Sequence, residues 1–200
     1  VEPNQAPWIE ARGKDGSRFS FERFSLSYAL VAASADRVLE DSGPGDGFKR
    51  DLVRAYARAF VRDDVAAVIA VRGGFGAARL HGLFDACVAA QHPKFFVGYS
   101  DLTVLLSRLQ SEAGLVCFHG PMVSSDLARL PAADLERFRR LLFGQQGWWT
   151  EGGLATRVAG VAEGRLAGGC LSILASTLGT PYEVDTEGSV LFLEDIAEKP

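Results

Sequence analysis

The feature that most constrains this chain is a repeated alternation of three textures. An unbroken apolar run comes first, then glycine-rich or polar residues, then a helix-like stretch. Val65-Ala-Ala-Val-Ile-Ala-Val71 leads into Arg72-Gly-Gly-Phe-Gly76 and a predicted helix from Ala77 to about Ala90. Phe95-Phe-Val-Gly-Tyr99 leads into Ser100-Asp101 and a predicted helix from Leu102 to Glu112. Leu115-Val-Cys-Phe118 ends at His119-Gly-Pro121, with a further helix predicted over Asp134 to Phe143. Continuous apolar runs are what strands buried on both faces require. Strands alternating with helices build a parallel sheet covered by helices, so the predicted fold class is α/β.

The flanks read differently. Residues 1–18 are polar and rich in turn formers, and are expected to be poorly ordered. Phe19 to Glu40 carries apolar residues at mixed spacing, with helix expected over its first part. Asp41 to Gly47 reads as a loop. Phe48 to Arg62 reads as an amphipathic helix, with Leu52, Val53, Tyr56 and Phe60 on one face and Lys49, Arg50, Arg54 and Arg58 elsewhere. After Gly144 the texture changes. Trp148-Trp-Thr150 and Thr156 to Ala162 look like β segments, Gly164 to Gly169 like a glycine-rich entry to a short helix over Leu171 to Leu178, and Val190-Leu-Phe-Leu193 like a strand ending at Glu194-Asp195. The expected organisation is an N-terminal segment (1–18), an α/β domain (19–145) and the start of a second domain (146–200), with the break near Gly144–Gly147. The chain stops at Pro200, just after a strand delivers polar residues, so further chain is expected beyond it.

Composition excludes several classes. With 200 residues, 48% hydrophobic and 23% charged, the chain can bury a substantial core. A formal net charge of −4 offers no basic excess for nucleic acid or an anionic membrane. No apolar run is long enough to span a bilayer, and the start has no signal-peptide core. Cys87, Cys117 and Cys170 are odd in number and widely spaced, which fits a reducing compartment; a cytoplasmic location is the expectation. Neither HExxH nor CxxC spacing is present, so no metal or cofactor is predicted.

Four places could carry chemistry, and each has a bland alternative. Ser100 ends a buried strand just before a helix, the position of a nucleophile elbow; read alone, it is more readily taken as a helix cap. The loop from Arg72 to Gly76 could aim backbone N–H groups at an oxyanion or a carboxylate, with Arg72 gripping a carboxylate; it could also be a plain turn with Arg72 in a salt bridge. It lacks the residues that complete a phosphate-binding loop. Glu194 could orient a histidine base or merely start a turn. His119, at a strand end on the same sheet edge, could be that base or a structural or substrate-side residue. Cys117, inside a predicted strand, reads as buried and inert, and Cys170 as a core thiol.

Taken in order, these pieces resemble the motif series of the LD-carboxypeptidase family, to which the microcin C self-immunity peptidases also belong. The series is Arg72-Gly-Gly-Phe-Gly76, Gly98-Tyr-Ser-Asp-Leu-Thr103, His119-Gly-Pro-Met122, Gly168-Gly-Cys-Leu171 with Leu178-Gly-Thr-Pro181, and Leu193-Glu-Asp-Ile-Ala-Glu198. It runs from about Asp46 to Pro200. The resemblance implies a Rossmann-like N-terminal domain and a smaller β-rich C-terminal domain. It implies a Ser-Glu-His triad with Ser100 as nucleophile, Glu194 as the carboxylate and the histidine on a segment beyond Pro200. Gly73, Gly74 and Asp101 match the oxyanion loop, with the N–H groups of Gly74 and Asp101 as donors and Arg72 as a candidate substrate anchor. The implied activity is hydrolysis of an L,D-amide, releasing the terminal D-alanine of cytoplasmic murein tetrapeptide. Cleavage of a peptidyl-nucleotide and non-catalytic binding of a peptide carboxylate are the alternatives. The implied partner is a small peptide, with a homodimer allowed. Three positions depart from the family pattern: Cys170 stands in place of an asparagine, Phe75 in place of a tyrosine, and the usual opening strand is not recognisable in residues 1–18.

Overall fold

The computed structural model describes residues 11–12, 18–19, 53, 56–63, 65–70, 72–127, 129–144 and 155–196. In chain order its strands and α-helices are β1 (Ala11–Arg12), β2 (Arg18–Phe19), β3 (Ala67–Ile69), α1 (Ala86–Gln91), β4 (Phe95–Gly98), α2 (Thr103–Ala113), β5 (Phe118–His119), α3 (Ala132–Leu142), β6 (Arg165–Cys170), α4 (Leu171–Thr177) and β7 (Ser189–Glu194). Residues 56–61 are also helical.

Strands β3, β4 and β5 form a parallel sheet in that order, as the apolar runs predict. Alternate side chains feed two separate cores. Val68, Ala70 and Phe96 face a cluster with Tyr56, Phe60, Leu105 and Leu109. Ala67, Ile69 and Val97 face the other way, onto Val123, Leu127 and the apolar side of α3. Both faces are therefore covered, which is why these strands cannot alternate with polar residues. Phe96 is fully buried and meets the rings of Tyr56 and Phe60, with centroids 5.8 and 6.4 Å away. A buried side chain of this kind contributes about 1.5–3 kcal/mol.

Several elements differ from expectation. The stretch after the glycine loop is a single 3₁₀ turn, Ala77–Leu80, and α1 begins only at Ala86. Asp85 breaks the run by accepting the Cys87 N–H at 2.9 Å, a local cap that outcompetes helix continuation. The third strand is shorter and later than expected; Val116 is 77% exposed, and only Phe118 and His119 pair. Cys117 thus precedes the strand, although burial still pushes its thiol up to about 12. Residues 156–162 form no strand, and Val158 and Val161 are exposed. The glycine-rich entry is itself a strand, β6, paired parallel with β7 from Arg165↔Ser189 to Cys170↔Glu194. In residues 1–18, Ala11 and Arg12 pair antiparallel with Phe19 and Arg18. The remainder of that segment, the helix expected after Phe19, the Trp148-Trp149 segment and the proposed break between 144 and 147 lie at or beyond the edge of the described residues.

The glycines of β6 explain how the second strand pair sits on the first sheet. A Cβ on Gly168 (φ +136°) would overlap the backbone of Phe192. A Cβ on Gly169 (φ +146°) would lie 2.5 Å from Thr103 Cγ2. Bare backbone is needed at both points. Thr103 then accepts the Cys170 N–H on its hydroxyl at 3.1 Å, and Gln110 donates to the Leu166 carbonyl at 2.8 Å. Helix α2, which starts at the elbow, is thereby bonded to the strand pair that carries Glu194.

Candidate active site

Strand β4 runs into a 3₁₀ turn, Ser100–Leu102, and directly into α2. Ser100 has φ +60°, the one non-glycine residue at positive φ among the described residues. That conformation costs an L-residue on the order of 1–3 kcal/mol and survives only where the surroundings enforce it. Here they do. A Cβ at Gly98 would lie 2.6 Å from Leu102 Cδ1 and 3.3 Å from Ala70 Cβ, while Leu102, Thr103 and Leu105 are buried. The chain is wedged into a sharp turn. Ser100 sits at neither N-cap position: Tyr99 holds it for the 3₁₀ turn, of which Ser100 is the first residue, and Leu102 holds it for α2.

The glycine loop lies against this elbow. A Cβ on Gly73 would stand 3.1 Å from Ser100 Cβ and 3.2 Å from its Oγ, so a side chain there would press on the hydroxyl. Above Gly74 the space is open, with Asp101 Oδ2 the nearest atom at 4.0 Å. Asp101 is 7% exposed, and its Oδ2 accepts the Ala77 N–H at 2.9 Å. This carboxylate fastens the far end of the loop to the elbow, a side-chain role that the sequence reading assigned to no residue. Arg72 and Phe75 are both exposed on the loop.

Glu194 approaches from β7, beside Cys170 of β6. Its Oε2 lies 3.7 Å from His119 Nε2. His119 is the ladder partner of Gly98, two residues before Ser100. Its ring meets Phe192 edge-on at 4.7 Å and Tyr99 at 5.7 Å. Tyr99 is itself braced, donating its hydroxyl to Asp126 at 3.1 Å, and Asp126 also accepts the Met122 N–H and the Ser125 hydroxyl. Burial lowers the His119 pKa and, together with Asp126, raises that of Tyr99. Asp195 serves locally instead: it accepts the N–H groups of Ile196 and Ser172, which lower its pKa. Of the adjacent acids, only Glu194 is placed against a histidine.

The structure thus brings Gly73, Ser100 and Asp101 together, and places His119 against Glu194 on the neighbouring strands. The Tyr99–Asp126 brace and the Thr103–Cys170 bond were invisible to sequence reading, since each joins residues distant in the chain. Among the described residues, no cluster of His, Cys, Asp and Glu could hold a metal, and no helix is long and apolar enough to cross a membrane.

Comparison with known proteins places this arrangement. Residues 28–120 match the model of the LD-carboxypeptidase N-terminal domain, and residues 163–200 that of the LD-carboxypeptidase C-terminal domain. The chain belongs to the LD-carboxypeptidase family. It is 44% identical over 145 residues to a Bacillus subtilis protein named "Probable murein peptide carboxypeptidase", covering 70% of this chain and 46% of that one. It is 36% identical over 185 residues to the murein tetrapeptide carboxypeptidase of Pseudomonas aeruginosa, covering 86% and 54%. The muramoyltetrapeptide carboxypeptidase of Oxalobacter formigenes superposes with a TM-score of 0.64 at 34% identity, over 82% of this chain and 60% of that one. The self-immunity protein MccF bound to glutamyl sulfamoyl guanosine shares the fold at TM-score 0.63 and 21% identity, over 74% and 53%. The LD-carboxypeptidase chain described here spans about half the length of the curated relatives it matches.

Proposed function

We propose that the protein is a cytoplasmic serine carboxypeptidase that hydrolyses an L,D-amide, releasing the terminal D-alanine of murein tetrapeptide. The observation that carries this reading is the forced positive φ of Ser100, with Gly73 cleared away from its hydroxyl. Ser100 Oγ attacks the carbonyl carbon as its proton passes to a histidine. On this reading that histidine is supplied from outside the described residues, as the family resemblance implies. The oxyanion is held by the N–H groups of Gly74 and Asp101, and Glu194 orients the histidine. The C–N bond then breaks, and the amine of D-alanine leaves with the proton. Water hydrolyses the acyl-serine ester and restores Ser100. Arg72, at the start of the loop, is the proposed anchor for the substrate's free carboxylate. No cofactor enters this scheme, and a homodimer is compatible with it.

The test is hydrolysis of an L,D-linked tetrapeptide by the full-length protein. Ser100→Ala is expected to lower kcat by at least about 10³-fold. Undiminished hydrolysis would remove Ser100 from the mechanism. The MccF-like fold gives a second substrate reading on the same machinery, an aminoacyl-nucleotide. The relative kcat/KM for a peptidyl-nucleotide and a murein peptide decides between them.

A further inference from the structure

We propose that His119 is a positioning residue for Glu194: its Nε2–H holds one carboxylate oxygen and so aims the other at the catalytic base. This rests on reading Glu194 as the triad carboxylate.

The geometry separates His119 from the role of base. A base in a Ser-His-Glu relay presents one nitrogen to the carboxylate and the other to the serine. His119 turns Nε2 toward Glu194, and among the described residues its Nδ1 is buried without a hydrogen-bond partner. Neither nitrogen is bonded to Ser100. Glu194 Oε2 is likewise buried and unpartnered among the described residues. A buried carboxylate oxygen without a donor is costly, and the Nε2 facing it is a nitrogen able to donate. At 3.7 Å the pair is too long for a hydrogen bond, and a small side-chain rotation closes it. Catalytic contacts commonly tighten in this way when substrate binds.

The imidazole is held ready for that motion. Phe192 and Tyr99 fix its plane, and Asp126 fixes Tyr99. The β4–β5 register ties its backbone to Gly98, so the histidine and the elbow share one rigid edge. Burial favours the neutral imidazole, which donates a single hydrogen bond without neutralising Glu194. His119 links the sheet that carries the nucleophile to the strand that carries the acid.

The test uses the full-length enzyme and the L,D-linked tetrapeptide. His119→Gln places an amide N–H near the Nε2 position, whereas His119→Asn places it near Nδ1. His119→Asn is expected to lower kcat by about 10–100-fold with KM little changed, as loss of an outer-shell partner does, and His119→Gln to restore most of the loss. In a Glu194→Gln background, His119→Asn is expected to add nothing further. Equal losses in the Gln and Asn variants, or full activity in both, would overturn the inference. Full activity of Glu194→Gln would overturn the triad reading, and the inference with it. Loss in Glu194→Gln with full activity in His119→Asn overturns the inference alone. The unmutated protein supplies a measurement independent of refolding variants. Nitrogen NMR of His119 is expected to show the Nε2–H tautomer at neutral pH, and the Nδ1–H tautomer would contradict the proposal.

Discussion

Around Ser100, the side chains of Leu102, Thr103 and Leu105 are buried, and the preceding strand is covered on both faces. Around Glu194, by contrast, Leu191 and Leu193 of β7 are 47% and 52% exposed, as is Leu166 of β6 at 53%. Ser100 is held by the core itself. The carboxylate is held by discrete links across to that core: Cys170 to Thr103, Leu166 to Gln110, and the facing pair of Glu194 and His119. A strained serine needs the first kind of support, because only a packed core resists relaxation of its φ. Glu194 has only the second.

The sharpest way to break this contrast is to weaken each side in turn. Phe96→Ala, under the elbow, is expected to cost about 3–5 kcal/mol of folding stability, measured by urea denaturation. Leu191→Ala on β7 is expected to stay within about 1 kcal/mol. Equal costs would mean that the two regions are supported alike.

A smaller effect probes the join. Gly169→Ala sets a methyl against Thr103 at a backbone conformation that favours glycine. It is expected to cost about 1–3 kcal/mol. It should also lower kcat, while the exposure of the β3–β4–β5 amides to hydrogen exchange stays the same. Faster exchange throughout that sheet would show that the strand pair is part of the same cooperative core.

The smallest effect is electrostatic. His81 and His119 both have pKa values below the ordinary 6.5, led by burial. A lowered folded-state value means that the unfolded chain binds more protons as pH falls through 6.5. Stability contributed by the neutral rings is complete above that pH and is lost progressively below it. The urea midpoint should therefore fall between pH 7 and about pH 5. His81 stacks on Tyr182 at 3.8 Å and lies beside Arg108, which adds to the penalty on its charged form. His81→Phe should reduce the fall. An unchanged pH dependence in that variant would assign the effect elsewhere.

The same contrast explains what was legible in the sequence. Strands β3 and β4 announced themselves because burial on both faces demands unbroken apolar runs. Ser100 did not stand out alone, since a strand end before a helix also suits a cap; the ordered company of Gly73, Gly74, His119 and Glu194 singled it out. Strand β6 was hidden for the opposite reason. Its glycines, read as the entry to a helix, are there because the Phe192 backbone and Thr103 approach too closely for a side chain, and that crowding involves residues far apart in the chain. The α1 boundary was misplaced because Asp85 satisfies a backbone N–H that a longer helix would have used. The facing of His119 and Glu194 depends on two sheet registers together, and no local pattern encodes that.

Covalent capture asks of the molecule itself whether the elbow makes Ser100 reactive. Full-length protein treated with a serine-directed phosphonate, digested and weighed by mass spectrometry, should carry one adduct on Ser100, and Ser100→Ala should carry none. A hydrolytically active protein that leaves Ser100 unmodified while another residue takes the label would show that Ser100 is not the reactive serine.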